Sequence, residues 1–200
     1  MDPESIDAAI RGCDYVVHTA SPCPFDTPKN EDEVIKPAVE GTMAVLRAVR
    51  KYQVKRVVIT SSSLAVTASS TKNHKASYTE DDWSDLNECG AYMKSKTLAE
   101  RAAWDFLSSL PENEKFELVT ILPAFIQGPP LGLTDSASGE VIKKLMNREF
   151  PGLPRIMLPI VDVREVARAH LQALKVAEAK NKRFLLSAGS CWFRDVAAIL

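Results

Sequence analysis

The sequence predicts an α/β protein with a doubly wound parallel sheet. Short apolar runs rich in Val and Ile alternate with longer segments of helical periodicity along all 200 residues. The run within KRVVITSSS is continuously apolar, as is typical of strands that are buried on both faces of a parallel sheet. The length suits one full-sized domain or a large piece of a longer one, and no internal repeat or low-complexity linker divides it.

The elements follow in this order along the chain. A helix, PESIDAAIRG, ends at Gly12, and a buried strand spans Asp14 to Ala20. The next helix is predicted to begin at Pro37, since proline suits a first helical turn. After the strand KRVVITSSS, a polar connection from Thr67 to Glu88 leads to a helix that runs to about Leu110. The strands FELVTILPA and RFLLSAG follow, separated by a Pro/Gly-rich stretch and a helix that starts near VDVREVARAH.

Composition and charge exclude several classes of protein. A hydrophobic content of 46% and a charged content of 26% describe an ordinary globular chain. The net charge of −1, with acids and bases interleaved, indicates neither a nucleic-acid partner nor a membrane surface. No apolar run approaches the roughly 20 residues of a membrane span, and no signal peptide is visible.

The cysteines and histidines do not indicate a metal site. The four cysteines are scattered without metal-ligand spacing: Cys13, Cys23, Cys89 and Cys191. They are interpreted as reduced thiols of a cytoplasmic protein. The three histidines have no neighbouring pair of ligands: His18, His74 and His170. The first is interpreted as a core histidine and the last as a residue at a packing boundary.

A Tyr-x-x-x-Lys pair on the central helix is the strongest candidate for chemistry. In GAYMKSKTLAE, Tyr92 and Lys96 are four positions apart and share one helix face, whereas Lys94 faces elsewhere. A nearby ammonium is expected to lower the pKa of Tyr92, which makes the phenol usable in proton transfer. Ser62, thirty residues earlier, follows a predicted strand at the edge where parallel sheets bind ligands. Taken alone, the pair is more typical of packing, so the hypothesis of carbonyl–alcohol redox chemistry rests on all three residues.

Several segments, in the right order, resemble the extended short-chain dehydrogenase/reductase family (the NAD-dependent epimerase/dehydratase family), in its dihydroflavonol reductase-like and cinnamoyl-CoA reductase-like branch. They cover nearly the whole chain: GCDYVVHTASP, EVIKPAVEGTMAVLRA, KRVVITSSSLAV, AYMKSKTLAERAAW, LPAFIQGPP and VDVREVARAHLQAL. The resemblance implies a Rossmann-like domain and the catalytic residues Ser62, Tyr92 and Lys96. It also implies that the lysine contacts the nicotinamide ribose.

The resemblance further implies a set of cofactor-binding residues, with NADP(H) favoured over NAD(H). Besides the tyrosine and lysine they are Thr19, Ala20, Ser21, Thr60, Ser61, Pro123, Ala124, Phe125 and Ile126. The stretch after Phe125 is interpreted as a mobile substrate loop. Candidate pocket residues are Trp83, Phe125, Leu131 and Leu133.

The sequence also departs from the family pattern. It contains no GxxGxxG motif and only 8 glycines, so residues 1–200 are expected to form part of an NAD(P)-binding domain that is truncated at its N-terminus, plus part of the substrate region. Such a chain is expected to bind NADP(H) weakly and to aggregate through a bare apolar edge. Ala38 stands where many members carry Asn, and Thr67 stands where flavonoid reductases carry Asn or Asp, so a flavonoid substrate is not supported.

The resulting hypothesis is an NAD(P)H-dependent oxidoreductase that reduces a ketone or aldehyde to an alcohol. Two alternatives stay open: a nucleotide-sugar epimerase or dehydratase with the same three residues, and a non-catalytic NAD(P)-binding sensor or inactive fragment. The expected partners are small carbonyl or alcohol molecules, without nucleic acid or membrane. Both a monomer and a homodimer are compatible with the sequence.

Overall fold

The computed structural model describes residues 2–24, 27–68, 75–132 and 136–200. The strands are β1 (Tyr15–His18), β2 (Arg56–Thr60), β3 (Glu117–Pro123), β4 (Phe125–Gln127), β5 (Met157–Asp162), β6 (Lys182–Leu186) and β7 (Gly189–Trp192). The helices are α1 (Pro3–Ile10), α2 (Asp32–Lys51), α3 (Ala91–Ser109), α4 (Ala137–Met146), α5 (Val163–Lys175) and α6 (Phe193–Ile199).

A four-stranded parallel sheet in the order β1-β2-β3-β6 forms the centre of the protein. Alternate residues of β2 face opposite layers: Val57 packs in a cluster with α2 and α3, whereas Val58 packs in a second cluster with α5. Helices therefore cover both faces of the sheet, and the prediction of a doubly wound parallel α/β fold is confirmed.

A second sheet, in the order β4-β5-β7, lies beyond the end of β3. Strand β4 pairs parallel to β5, and β5 pairs antiparallel to β7. These strands and helix α4 were absent from the sequence prediction, which placed the residues of β4 in a loop. Strand β4 has only 3 residues and β5 contains Pro159, so neither carries a local strand signal.

The predicted start of α2 at Pro37 is wrong, because the helix begins five residues earlier, at Asp32. The side chain of Asn30 accepts a hydrogen bond from the Asp32 amide over 3.0 Å, and Val34 in the first turn is buried. Capping and packing therefore outweigh the hydrogen bond that the proline cannot donate.

Strand β1 is only half-buried, whereas the sequence predicted a buried strand. It pairs with β2 alone among the described strands, and Tyr15 and Val17 are 50% and 43% exposed. The cause is its place at the edge of the sheet, since only β2 among the described strands pairs with it. Within the described ranges, no helix is both long and apolar enough to cross a bilayer.

Candidate active site

Ser62 lies at the carboxyl edge of the main sheet, two residues beyond the end of β2. Its backbone is extended, and its Oγ accepts a hydrogen bond from the Leu64 amide over 3.2 Å, which starts a short 3₁₀ turn at Ser63–Ala65. The residue is only 7% exposed. The local capping interaction therefore fixes the hydroxyl at the end of a buried strand.

Helix α3 brings Tyr92 and Lys96 to the same edge. The helix begins after Gly90, and Pro111 follows its last residues. The Lys96 Nζ lies 6.0 Å from the centre of the Tyr92 ring and donates a hydrogen bond to the Thr60 carbonyl oxygen over 3.2 Å. The side chains of Ser62 and Cys23 lie close enough to the Tyr92 hydroxyl to influence its pKa. The structure thus brings the three predicted catalytic residues together.

Burial controls the proton affinities of this cluster. Desolvation raises the pKa of Tyr92 well above its ordinary value, the neighbouring Cys23 side chain adds to this effect, and the Ser62 hydroxyl opposes it. The expectation of a lowered Tyr92 pKa is therefore wrong, because burial outweighs the stabilisation of the phenolate by a nearby ammonium. Burial also lowers the pKa of Lys96, while Cys23 and Glu100 act in the opposite direction. Tyr92 consequently holds its proton at neutral pH.

The predicted cofactor residues after β1 form an accessible surface. Thr19 and Ala20 are exposed, and Ser21 is half-buried. A cavity of about 640 Å³ is lined in part by Ala20, Ser21 and His18. The His18 Nε2 lies 3.4 Å from the Thr42 hydroxyl, so the histidine has the expected partner, but it is half-buried beside the cavity and does not belong to the core.

The side chains of Thr60 and Ser61 are engaged inside the protein. The Thr60 hydroxyl lies 2.7 Å from His170 Nε2, and the Ser61 hydroxyl donates to Glu100 over 2.6 Å. Contacts of these two residues with a cofactor would therefore come from their backbone groups. The segment after β3 is also ordered by backbone pairing, since the Ala124 amide donates to the Leu186 carbonyl over 2.9 Å.

The remaining predicted cofactor residues lie where β3 passes into the second sheet. Pro123 ends β3, Ala124 is buried, and Phe125 and Ile126 belong to β4. Pro123 thus lies in the predicted strand, whereas Phe125 and Ile126 lie in a strand where the sequence analysis placed the start of a loop.

The candidate pocket residues are dispersed. Trp83 lies against Arg183, whose guanidinium carbon is 3.7 Å from the centre of the indole. Leu131 is fully exposed. Leu133 and His74 lie outside the described residues.

Three residues near the site were not assigned to it by the sequence. Cys23 contacts Tyr92, His170 contacts Thr60, and Glu100 contacts Ser61. Only Glu100 had a usable signal, because it follows Lys96 by four positions and must share its helix face. The other two contacts join segments that are distant in sequence.

A parallel sheet with flanking helices and a Ser, Tyr and Lys cluster at its carboxyl edge places the protein in the Rossmann-like α/β class. The model of the 3-beta hydroxysteroid dehydrogenase/isomerase family matches residues 1–194. The chain belongs to this family.

Curated relatives lie in the branch that the sequence motifs indicated. The chain is 34% identical over 202 residues to the NADPH-dependent methylglyoxal reductase of Saccharomyces cerevisiae, with 92% of this chain and 59% of the relative covered. It is 36% identical over 204 residues to cinnamoyl-CoA reductase 1 of Arabidopsis thaliana, with 100% of this chain and 57% of the relative covered. The recognised resemblance is confirmed.

Solved structures show the same similarity. The yeast methylglyoxal/isovaleraldehyde reductase complexed with NADPH gives a TM-score of 0.84 at 30% identity, covering 96% of this chain and 61% of that one. Vestitone reductase from alfalfa gives a TM-score of 0.75 at 30% identity, covering 100% and 62%. The chain thus spans about 60% of the length of these relatives.

Proposed function

We propose that the protein is an NADPH-dependent reductase that converts a ketone or an aldehyde to an alcohol. The observation that carries the proposal is the meeting of Ser62, Tyr92 and Lys96 at the carboxyl edge of the parallel sheet. Relatives described as reductases of methylglyoxal and of cinnamoyl-CoA support the same reaction class.

The residues at the nicotinamide end fit the cofactor. Among the described residues, the Thr60 carbonyl is the one hydrogen-bond acceptor recorded for Lys96, so two N–H groups of the ammonium remain for ribose hydroxyls. The exposed Thr19 and Ala20, with Ser21, follow β1, whose His18 is in register with Ile59, the residue before Thr60, and they offer polar and backbone groups at the same edge of the sheet. The relative described as complexed with NADPH supports the choice of cofactor.

In the proposed mechanism, Ser62 and Tyr92 act on the carbonyl oxygen of the substrate, and Lys96 acts on the phenol of Tyr92. NADPH, when bound, would supply the hydride for reduction of the carbonyl carbon. Ser62 donates a hydrogen bond to the carbonyl oxygen, and Tyr92 transfers its phenolic proton to the same oxygen. The raised pKa of Tyr92 keeps the proton available at neutral pH. The Lys96 ammonium stabilises the phenolate that remains.

A substitution of Tyr92 in the full-length protein tests the proposal. Tyr92→Phe is expected to lower the turnover of an accepted carbonyl substrate by about 100-fold or more, because the proton donor is lost. The matched control is Tyr52→Phe, since the Tyr52 hydroxyl bonds to Asp7, away from the site. Unchanged NADPH oxidation by Tyr92→Phe contradicts the assignment. Tightly retained NAD without net oxidation of NADPH favours the epimerase or dehydratase alternative.

We further propose that residues 1–200 form part of an NAD(P)-binding domain with part of the substrate region, in a cytoplasmic protein that is a monomer or a homodimer. The four free cysteines, two of them exposed, support a reducing compartment. Size-exclusion chromatography with light scattering measures the oligomeric state, and fluorescence microscopy of the tagged protein measures the compartment.

A further inference from the structure

A buried carboxylate connects the two halves of the candidate site. Glu100 lies one helical turn after Lys96 on α3, and the residue is only 1% exposed. Its Oε2 accepts a hydrogen bond from the Ser61 hydroxyl over 2.6 Å, and its Oε1 accepts one from the Thr120 hydroxyl over 2.8 Å. The carboxylate therefore joins the helix to two neighbouring strands.

A buried arginine holds this carboxylate in place. Arg183 of β6 donates from Nε to Glu100 Oε1 over 2.8 Å, and its side chain is only 10% exposed. The guanidinium also donates to the backbone carbonyls of Glu80 and Asp82 and stacks against Trp83 at 3.7 Å. With every side of the arginine engaged, neither charged group can turn away without leaving the other unpaired.

Stability alone does not account for such a pair. The desolvation of two buried charges offsets most of their attraction, so a buried ion pair contributes little compared with apolar residues of the same volume. The position of the Glu100–Arg183 pair in the fold indicates a role in holding the site together. Ser61 directly precedes Ser62, and Glu100 follows Lys96 by one turn, so one rigid carboxylate sets the separation between the strand end and the helix.

We propose that Glu100 is a positioning residue that holds Ser62 at the correct distance from Tyr92 and Lys96. The inference rests on the proposed function of these three residues. Glu100 also places a negative charge near Lys96, which acts against the lowering of the Lys96 pKa by burial. In the part of the chain that the structure describes, the other titratable groups that face Lys96 are His18 on β1, Cys23 after β1 and Tyr92 on its own helix.

Paired substitutions in the full-length protein test the inference. Glu100→Gln keeps the size but removes the charge, and Glu100→Asp keeps the charge but shortens the side chain. The control is Glu117→Gln, since Glu117 pairs with the buried Arg56 at the opposite end of the sheet. We expect Glu100→Gln to lower kcat by about tenfold or more through misplacement of Ser62, with NADPH affinity within about twofold of wild type.

The pH profile separates positioning from general weakening of the fold. Loss of the carboxylate charge lowers the pKa of Lys96, so the alkaline limb of the Glu100→Gln profile moves to lower pH. Glu100→Asp and Glu117→Gln are expected to keep the wild-type limb. A lower Tm with unchanged kcat and an unchanged limb overturns the inference.

A second variant decides the matter if Glu100→Gln does not fold. Ser61→Ala removes one hydroxyl and leaves the Glu100–Arg183 pair intact. It is expected to lower kcat without weakening NADPH binding, whereas an unchanged kcat overturns the inference.

Measurement of the Lys96 pKa, which needs no catalytic turnover, distinguishes failure of this inference from failure of the proposed function. If the wild-type protein fails to oxidise NADPH with every carbonyl substrate offered, the proposed function fails. The pKa of Lys96, measured by NMR of labelled lysine and assigned through Lys96→Arg, still tests the role of Glu100. We expect a lower pKa in Glu100→Gln and an unchanged one in Glu117→Gln; equal values in both variants overturn the inference.

Discussion

Lys96 donates a hydrogen bond from its Nζ to the carbonyl oxygen of Thr60 over 3.2 Å. The hydroxyl of Thr60 lies 2.7 Å from His170 Nε2, and the other ring nitrogen, Nδ1, lies 2.8 Å from the Val166 carbonyl oxygen. Because a carbonyl can only accept, Nδ1 carries the proton, and in the neutral ring Nε2 accepts from Thr60. A continuous series of hydrogen bonds thus connects α5, the end of β2 and α3.

The burial of Lys96 predicts opposite effects on activity and on stability. Burial lowers the pKa of Lys96, so the folded state does not favour its charged form. Lys96→Met is expected to lower kcat/KM by about 100-fold, because the phenolate of Tyr92 loses its stabilising charge. Its Tm is expected to equal or exceed that of wild type. Assays of NADPH oxidation and thermal unfolding measure the two effects.

Lys94→Met is the matched control on the same helix. Lys94 pairs with Glu31 at 2.7 Å on the surface, and its side chain is 25% exposed. Its replacement is expected to change the free energy of unfolding by about 0.5 kcal/mol or less and to leave turnover unchanged. Equal losses of activity in the two lysine variants contradict a specific role for Lys96.

The raised pKa of Tyr92 predicts a loss of stability at alkaline pH. A group whose pKa is higher in the folded than in the unfolded state contributes stability below the unfolded value, here 10.0, and that contribution is lost as the pH rises toward the folded value. The free energy of unfolding of the wild-type protein should therefore fall more steeply above pH 10 than that of Tyr92→Phe. Urea titrations between pH 9 and pH 11 measure the slopes. Parallel slopes contradict the raised pKa.

Replacement of Arg56, at the opposite end of the sheet from the candidate site, is expected to lower the stability of the fold strongly. The residue is 5% exposed and donates from Nη1 to the carbonyls of Ala173 and Val176, both over 2.7 Å. It also pairs with Glu117 at 2.6 Å. Arg56→Met removes the buried donor from the Ala173 carbonyl, while the Val176 carbonyl keeps the Ala179 amide as a donor and Glu117 keeps Lys180. The loss is expected to cost about 2–4 kcal/mol of unfolding free energy in chemical denaturation.

The control for Arg56 is Arg50→Met. Arg50 pairs with Glu114 on the surface, where the two side chains are 44% and 36% exposed. Surface pairs of this kind contribute about 1 kcal/mol or less. If both arginine variants lose the same free energy of unfolding, the buried hydrogen bonds of Arg56 do not contribute the predicted stability.

The sequence predicted the main sheet but not the small one, for a physical reason. Strands β2 and β3 consist of apolar runs that are buried on both faces, so their local pattern is strong. In contrast, β4 has 3 residues and is defined by its pairing with β5, more than thirty positions away. The start of α2 was missed because the Asn30 cap and the burial of Val34 outweigh the signal of Pro37.

For the candidate site, the sequence indicated the reacting residues but not what holds them. Spacing and strand position were sufficient for Ser62, Tyr92 and Lys96. The link between Glu100 and Arg183 joins residues 83 positions apart, which spacing cannot predict. The direction of the Tyr92 pKa shift was also missed, because spacing shows the neighbouring charge whereas only the fold shows the burial.

The backbone conformation and close contacts of Gly128, which follows β4, predict that no side chain fits between the end of β4 and the start of α5. Its φ is +140°, and a Cβ at this position would lie 2.7 Å from Val163 Cγ1. Gly128→Ala is therefore expected to cost about 2 kcal/mol or more of unfolding free energy, from backbone strain and from the close contact together. In a Val163→Ala background the contact is relieved but the strain remains, so the cost should fall only in part.

Gly152→Ala is the control, because no described atom lies within 4 Å of the added Cβ at Gly152, and its cost should stay within about 0.5 kcal/mol. Equal costs at the two glycines, measured by urea denaturation, contradict the prediction.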